Sequence, residues 1–480
     1  MTRPAPVNTP PFYEVEQQRT VIICLVASVI AVAAVALGRV FTALLDLITN
    51  LSFYGRVSFE DVAPWGHHLG PFVIAVPIIG ALIVGGMARY GSGAIRGHGI
   101  PEAMEQILTN ESKISPRVTI LKPLSAAIAI GTGGPFGAEG PIIATGGALG
   151  SLVGQLLHTT APERKTLLAA GAAAGMTAIF GTPVSAVLIA IELLLFEYRP
   201  RSLVPVAFAA ATAAGVRIAY AGSTGVFAMP TITQPSGEAL SVYVVIGAVV
   251  GLAAVGVTRT LYLIEEGFER LPLHWMWWPA LGGVVVGIIG YVEPRTLGVG
   301  YSNIQGILAG QVTGIFLLVF MTLKFLSWSI ALGSGTSGGT LAPLFTIGGG
   351  LGALLGTLVA HGAPSLGVDP RIAALVGMAA IFAGASRALL TSIVFACETT
   401  RQPIGLLPLL GGCSAAFLIS SLMMRYTIMT EKLARRGTHV PTEYVAAHPD
   451  DLARHDAGAV RVRHLQLTPR RRKELRSKKI

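Results

Sequence analysis

LKPLSAAIAIGTGGPFGAEGP, residues 121–141, is answered by LKFLSWSIALGSGTSGGTLAP, residues 323–343, at a single offset of 202 positions and without a gap. Lys122 falls on Lys324, Ser125 on Ser327, Gly131 on Gly333, Gly137 on Gly339 and Pro141 on Pro343. The register runs on through Gly150 and Gly352 into GMTAIFGTP at Gly175 and GMAAIFAGA at Gly377, so residues 121–185 return as a unit. Chance does not hold one offset over such a span. A shorter echo, GHGIPEAMEQIL from Gly97 against GVGYSNIQGIL from Gly298, needs one gap and carries the duplication towards the N-terminus. Two halves of about 200 residues each therefore build one structure.

The composition says where that structure sits. Of 480 residues 52% are hydrophobic and 12% charged, and the mean hydropathy is +0.65. That is too little polar surface to cover a soluble globule, so the chain is expected to be an all-α integral membrane protein. Apolar runs recur at 20–48, 71–90, 166–197, 240–257, 278–292, 312–332, 341–360, 372–397 and 403–425. Several are too long or too short for a simple span of about 20 residues, which predicts tilted and re-entrant helices. Nine glycines between Gly131 and Gly154 fit close helix packing. Residues 1–19, rich in proline and polar, have the wrong layout for a cleaved signal peptide and read as a cytoplasmic segment before an uncleaved first helix. The last twenty residues hold nine Lys or Arg against one Glu. The positive-inside tendency places this basic tail, 437–480, in the cytoplasm as a topology anchor, with no nucleic-acid role. Cys24, Cys397 and Cys413 lie in apolar segments without a pairing pattern, so neither disulfide nor metal site is expected, nor any cofactor.

Three segments combine glycine, a helix-starting context and membrane depth: GHGIP at 97–101, GAEGP at 137–141 and GGTLAP at 338–343. The first-turn N–H groups of a helix have no intrahelical partner, and the helix dipole reinforces them, so helix ends can cradle an anion without a cationic side chain. Partial charges also release an ion more readily than a buried Lys or Arg would. Glu139 stands inside the second motif with no basic neighbour in sequence, while its counterpart is Leu341, so the fold does not require the acid. A carboxylate in an anion cradle competes with the anion, and protonation releases it. Glu139 therefore reads as a pH-dependent gate.

These motifs resemble the three signatures of the CLC family of chloride channels and chloride/proton antiporters, of the bacterial type without CBS domains, over residues 70–436. The resemblance implies a CLC-like inverted-topology repeat of tilted and re-entrant helices over residues 20–436, with halves at about 70–220 and 270–436. It implies a homodimer with one anion pathway per subunit. Glu139 is similar to the family's gating glutamate. The amides of Ala138 and Gly140 would face an outer anion position, and those of Thr340 and Leu341 a central one, which the His98, Gly99 and Ile100 turn and Met429 would also line. Three positions depart from the family. His98 stands where a serine is common, and its ring either binds the anion or turns aside to cap a carbonyl. Met429 replaces a tyrosine, and its thioether offers an anion little. Leu193, after Glu192, replaces the internal acid of the best-known antiporters; Glu192 itself is either a proton-path substitute or a structural carboxylate.

The expected function is transport of small anions, chloride first, gated by Glu139, with channel-like conduction ahead of proton-coupled antiport because Leu193 and Met429 remove a relay acid and a donor. A cation-coupled transporter of an organic solute is the reading from another class, and no enzyme chemistry is called for. The expected location is a bacterial inner membrane, multi-pass, with both termini cytoplasmic.

Overall fold

The structure is a computed structural model that describes residues 12–438 and 440–441, with side chains from residue 18 on. Among the described residues it is helical throughout, with isolated β-bridges and no strand. The first half comprises α1 (Phe12–Thr49), α2 (Ala75–Tyr90), α3 (Ile100–Thr109), α4 (Pro116–Gly131), α5 (Glu139–Leu156), α6 (Ala161–Phe180), α7 (Pro183–Ile189) and α8 (Pro200–Ala221). The second comprises α9 (Gly237–Glu269), α10 (Trp278–Val292), α11 (Tyr301–Leu308), α12 (Gly314–Gly333), α13 (Leu341–Gly362), α14 (Pro370–Ser386), α15 (Leu389–Thr400) and α16 (Leu406–Met423), after which comes the short α17 (Glu431–Arg435). The order matches helix for helix. It also reaches further than the sequence suggested, because α1 packs on α6 and α8 as α9 packs on α14 and α16.

Eight of these helices, with their flanking turns, are long and apolar enough to cross a membrane. A helix of 38 residues such as α1 is about 57 Å long, nearly twice a hydrocarbon core of about 30 Å, so it must tilt or project from the bilayer. It begins at Phe12, inside the stretch expected to be a polar lead-in.

Two apolar runs are not single spans. The run 166–197 breaks where Gly181 takes φ +63° and Pro183 starts α7, which passes into a π-helical turn at Ala190–Leu195. Proline cannot donate to the preceding turn, so the helix restarts there. The run 372–397 breaks at Arg387, the left-handed cap of α14. Conversely, α4 and α5 went unmarked because Arg117, Lys122 and two prolines dilute the hydropathy of the first and glycine that of the second.

Glycine sets the close contacts. A methyl group at Gly146 would collide with the carbonyl of Gly171, and one at Gly171 with that of Gly146, so α5 and α6 touch backbone to backbone. Gly348 and Gly377 repeat that contact between α13 and α14. Small residues allow such approach where no hydrophobic effect drives helices together. At the start of α6 Thr160 and Glu163 form a capping box, with Thr160 N–H donating to Glu163 at 2.9 Å. Arg19 pairs with the same carboxylate and fastens α1 to α6. Residues 442–480, where most of the basic tail falls, lie outside the described residues.

Candidate functional site

The glycine motifs of the two halves meet by their backbones. Gly97 N–H donates to Thr336 O at 3.3 Å and Gly338 N–H returns a bond to Gly97 O at 3.4 Å. Gly137 and Gly339 exchange a reciprocal pair, at 3.2 and 2.9 Å, and Gly298 N–H donates to Gly133 O at 3.1 Å. Such groups could not otherwise be satisfied at membrane depth. Gly97 and Gly99 take φ values of +95° and +96°, which a side chain would resist. At Gly140 a methyl group would strike the His98 carbonyl.

Two buried lysines fix these turns. Lys122, 2% exposed, donates to Ile95 O at 2.8 Å and Gly97 O at 2.7 Å. Lys324, 0% exposed, donates to Thr296 O and Gly298 O, both at 2.8 Å. In sequence the pair served only as a register mark. In the structure each holds two carbonyls of the loop before α3 or α11.

Glu139 is the first residue of α5 and is 0% exposed. Its Oε1 accepts from the Tyr301 hydroxyl at 3.1 Å, and its Oε2 has no hydrogen-bond partner. The Ala342 amide, in the first turn of α13, acts on the same carboxylate, and no charged side chain among the described residues does. The first half's Glu139 therefore lies at a helix end of the second. Tyr301 was missed in sequence because its segment was read only as an echo of GHGIP. The one available signal was a phenol directly after the glycine turn, where the first half has Ile100.

The other proposed anion ligands divide. Ala138, Gly140, Thr340 and Leu341 gather with Glu139 where α5 and α13 begin, and the Thr340 hydroxyl is buried without a partner. The Gly99 amide is engaged, donating to Glu102 Oε2 at 2.7 Å, which leaves Ile100 as the start of α3. His98 is buried with Nδ1 unpartnered. It lines a cavity of about 570 Å³ together with Arg96, Glu102, Glu265, Lys432 and Arg435. This charged vestibule leads to the ring from the side of α17. Met429 is fully buried, and its N–H donates to Thr427 Oγ1 at 3.2 Å. Its neighbour Ile428 receives a hydroxyl that the sequence did not disclose, from Tyr262 of α9, at 2.8 Å.

Glu192 is bound elsewhere. Its carboxylate accepts from Leu390 N–H and Thr391 N–H, both at 3.0 Å, and from Thr391 Oγ1 at 2.6 Å, which caps α15. Glu398 does the same for the other half, accepting from Val184 N–H at 3.0 Å and Ser185 N–H at 2.8 Å and so capping α7. Each half supplies the carboxylate that caps a helix of the other. These are the bonds of a helix-capping carboxylate. Leu193 beside it is buried.

The family model described as voltage gated chloride channel matches residues 79–421. A chloride channel protein ClcB-like of Ralstonia nicotianae is 28% identical over 385 residues, covering 79% of this chain and 89% of that protein. An H(+)/Cl(-) exchange transporter ClcA of Yersinia pestis is 28% identical over 428 residues, covering 86% and 87%. Among solved structures, a slow cyanobacterial Cl-/H+ antiporter superposes with a TM-score of 0.76 at 23% identity, covering 86% of this chain and 98% of that one. The chain is thus a multi-pass, all-helical membrane protein of the voltage gated chloride channel, or CLC, family.

Proposed function

We propose that the protein exchanges chloride for protons across the membrane, with Glu139 as the group that both gates the anion and carries the proton. The observation that carries this reading is the Glu139 carboxylate itself, fully buried between the starts of α5 and α13, held by a phenol and facing no cation. Helix ends there present donors to an anion, and the carboxylate occupies that place. Protonation would remove the attraction and free the position, so the same event admits the anion and loads a proton.

The earlier expectation of passive conduction gives way to exchange. It rested on what Leu193 and Met429 lack, whereas the relative matched over 428 residues is named an exchange transporter. Conduction remains the second reading, supported by Leu193 and by the relative named a chloride channel protein. Transport of an organic solute has no support once the family is known. His98, with its free Nδ1 at the end of the charged vestibule, is proposed as the inner ligand of the anion. A homodimer in a bacterial inner membrane, with both termini cytoplasmic, completes the reading and draws on the family resemblance.

The test is a liposome assay in which a chloride gradient is imposed and external pH is followed. Chloride flow that drives protons uphill, lost in Glu139→Gln, is the expected result. Chloride flow with no proton movement in the parent would select conduction.

A further inference from the structure

The structure points to Tyr301 as a shared anion ligand, and we propose that its hydroxyl binds Glu139 when the gate is closed and the permeating chloride when Glu139 has left. This rests on the reading of Glu139 as gate, and it adds a residue from α11 to a cradle so far built from α5 and α13.

Three observations converge. First, the phenol is the only side chain hydrogen-bonded to Glu139 among the described residues, at 3.1 Å. It also sits within reach of the Ala138 amide, so it lies beside a donor expected to face the outer anion. Secondly, Tyr301 is held by construction. Gly300 in the left-handed region turns the chain so that α11 starts on this residue. The ring then stands edge-on to Phe180 at 5.8 Å and to Phe227 at 5.6 Å. Phe395 extends the cluster by packing against both phenylalanines. A ring pinned on two sides keeps its oxygen in place when its acceptor moves. Thirdly, exposure is graded. Glu139 is fully buried while Tyr301, taken as a whole residue, keeps some exposure.

The chemistry suits the task. A neutral O–H presents a partial charge, which holds a monovalent anion without trapping it. It donates equally to a carboxylate oxygen or to a halide, and it needs no proton exchange of its own to switch between them. The tyrosine that the family resemblance leads one to expect at position 429 is a methionine here. Tyr301 supplies a hydroxyl donor at Glu139 instead.

The experiment compares two full-length variants in which the gate is already neutral, Glu139→Gln and Glu139→Gln/Tyr301→Phe. Chloride and bromide binding are measured by titration calorimetry in detergent. Loss of one hydrogen bond to an anion predicts about tenfold weaker binding in the double variant. Equal affinities would overturn the proposal, since the phenol would then serve packing alone. Phe345 packs against Phe227 and Phe395, so Phe345→Leu in the Glu139→Gln background disturbs the same ring cluster and leaves the hydroxyl intact. An equal loss of affinity there would also overturn it. Failure of the gate reading shows separately, as pH-dependent chloride flux that persists in Glu139→Gln.

Discussion

Glu139 carries a carboxyl group into a place where a phenol and a helix end are its company. Such a group is expensive to keep charged, so removing its charge should not destabilise the fold. Glu139→Gln is therefore expected to purify as a folded protein, to pass chloride at a rate independent of pH and to move no protons. Thermal melting together with paired chloride and pH traces would check all three. His98 makes a different claim. Its unpartnered Nδ1 ends the vestibule, and a serine there would replace a ring by a short hydroxyl. His98→Ser is expected to reorder the permeabilities of chloride, bromide and nitrate while leaving the melting temperature within a few degrees, about what 1 kcal/mol produces in a chain of this size. Reversal potentials in mixed salts would show it. An unchanged order would mean that His98 does not touch the ion.

At the scale of elements, the reciprocal caps explain how the breaks in two long apolar runs are tolerated. Where α6 ends and α7 restarts, the first-turn amides of Val184 and Ser185 receive Glu398; where α14 ends and α15 restarts, those of Leu390 and Thr391 receive Glu192. Glu192→Gln is expected to cost about 1 kcal/mol of stability, as loss of a helix cap does, and to leave proton movement per chloride unchanged. A lower proton-to-chloride ratio in that variant would return Glu192 to the proton path. These caps also mark where the sequence stopped being legible. The offset of 202 aligns α4 to α6 with α12 to α14, but it slips by four residues before α15, so Glu192 and Glu398 no longer face each other in the alignment. Helices α4 and α5 were likewise hidden, one by its polar residues and prolines and the other by glycine. The three motifs, by contrast, were readable because glycine, needed for positive φ at Gly97 and Gly99 and for close backbone approach at Gly140 and Gly339, stands shortly ahead of a proline in each. Tyr301 was not readable, since a phenol after a turn has no meaning until the fold sets a carboxylate beside it.

For the molecule as a whole, the two lysines state the design most plainly. Lys122 and Lys324 each hold two loop carbonyls from within the membrane domain, and neither forms an ion pair among those described. Removing one leaves two buried acceptors unmet, at roughly 1–3 kcal/mol each. Lys122→Met and Lys324→Met are expected to lower the yield of folded protein to a similar degree, read as the monodisperse fraction after purification. Wild-type yield from either variant would show that water can replace the ammonium group.

The bonds that join Gly97 and Gly137 to residues 336–339 also set an order of events in the cell. The ribosome delivers the first half to the bilayer some two hundred codons before the backbone that completes it. During that interval the N–H and C=O groups of both turns must be met by water or by the insertion machinery. The paired turns therefore come into being only after residues 336–339 have been made. A gene cut between α8 and α9 should restore transport when its two pieces are expressed together, and neither piece should transport on its own.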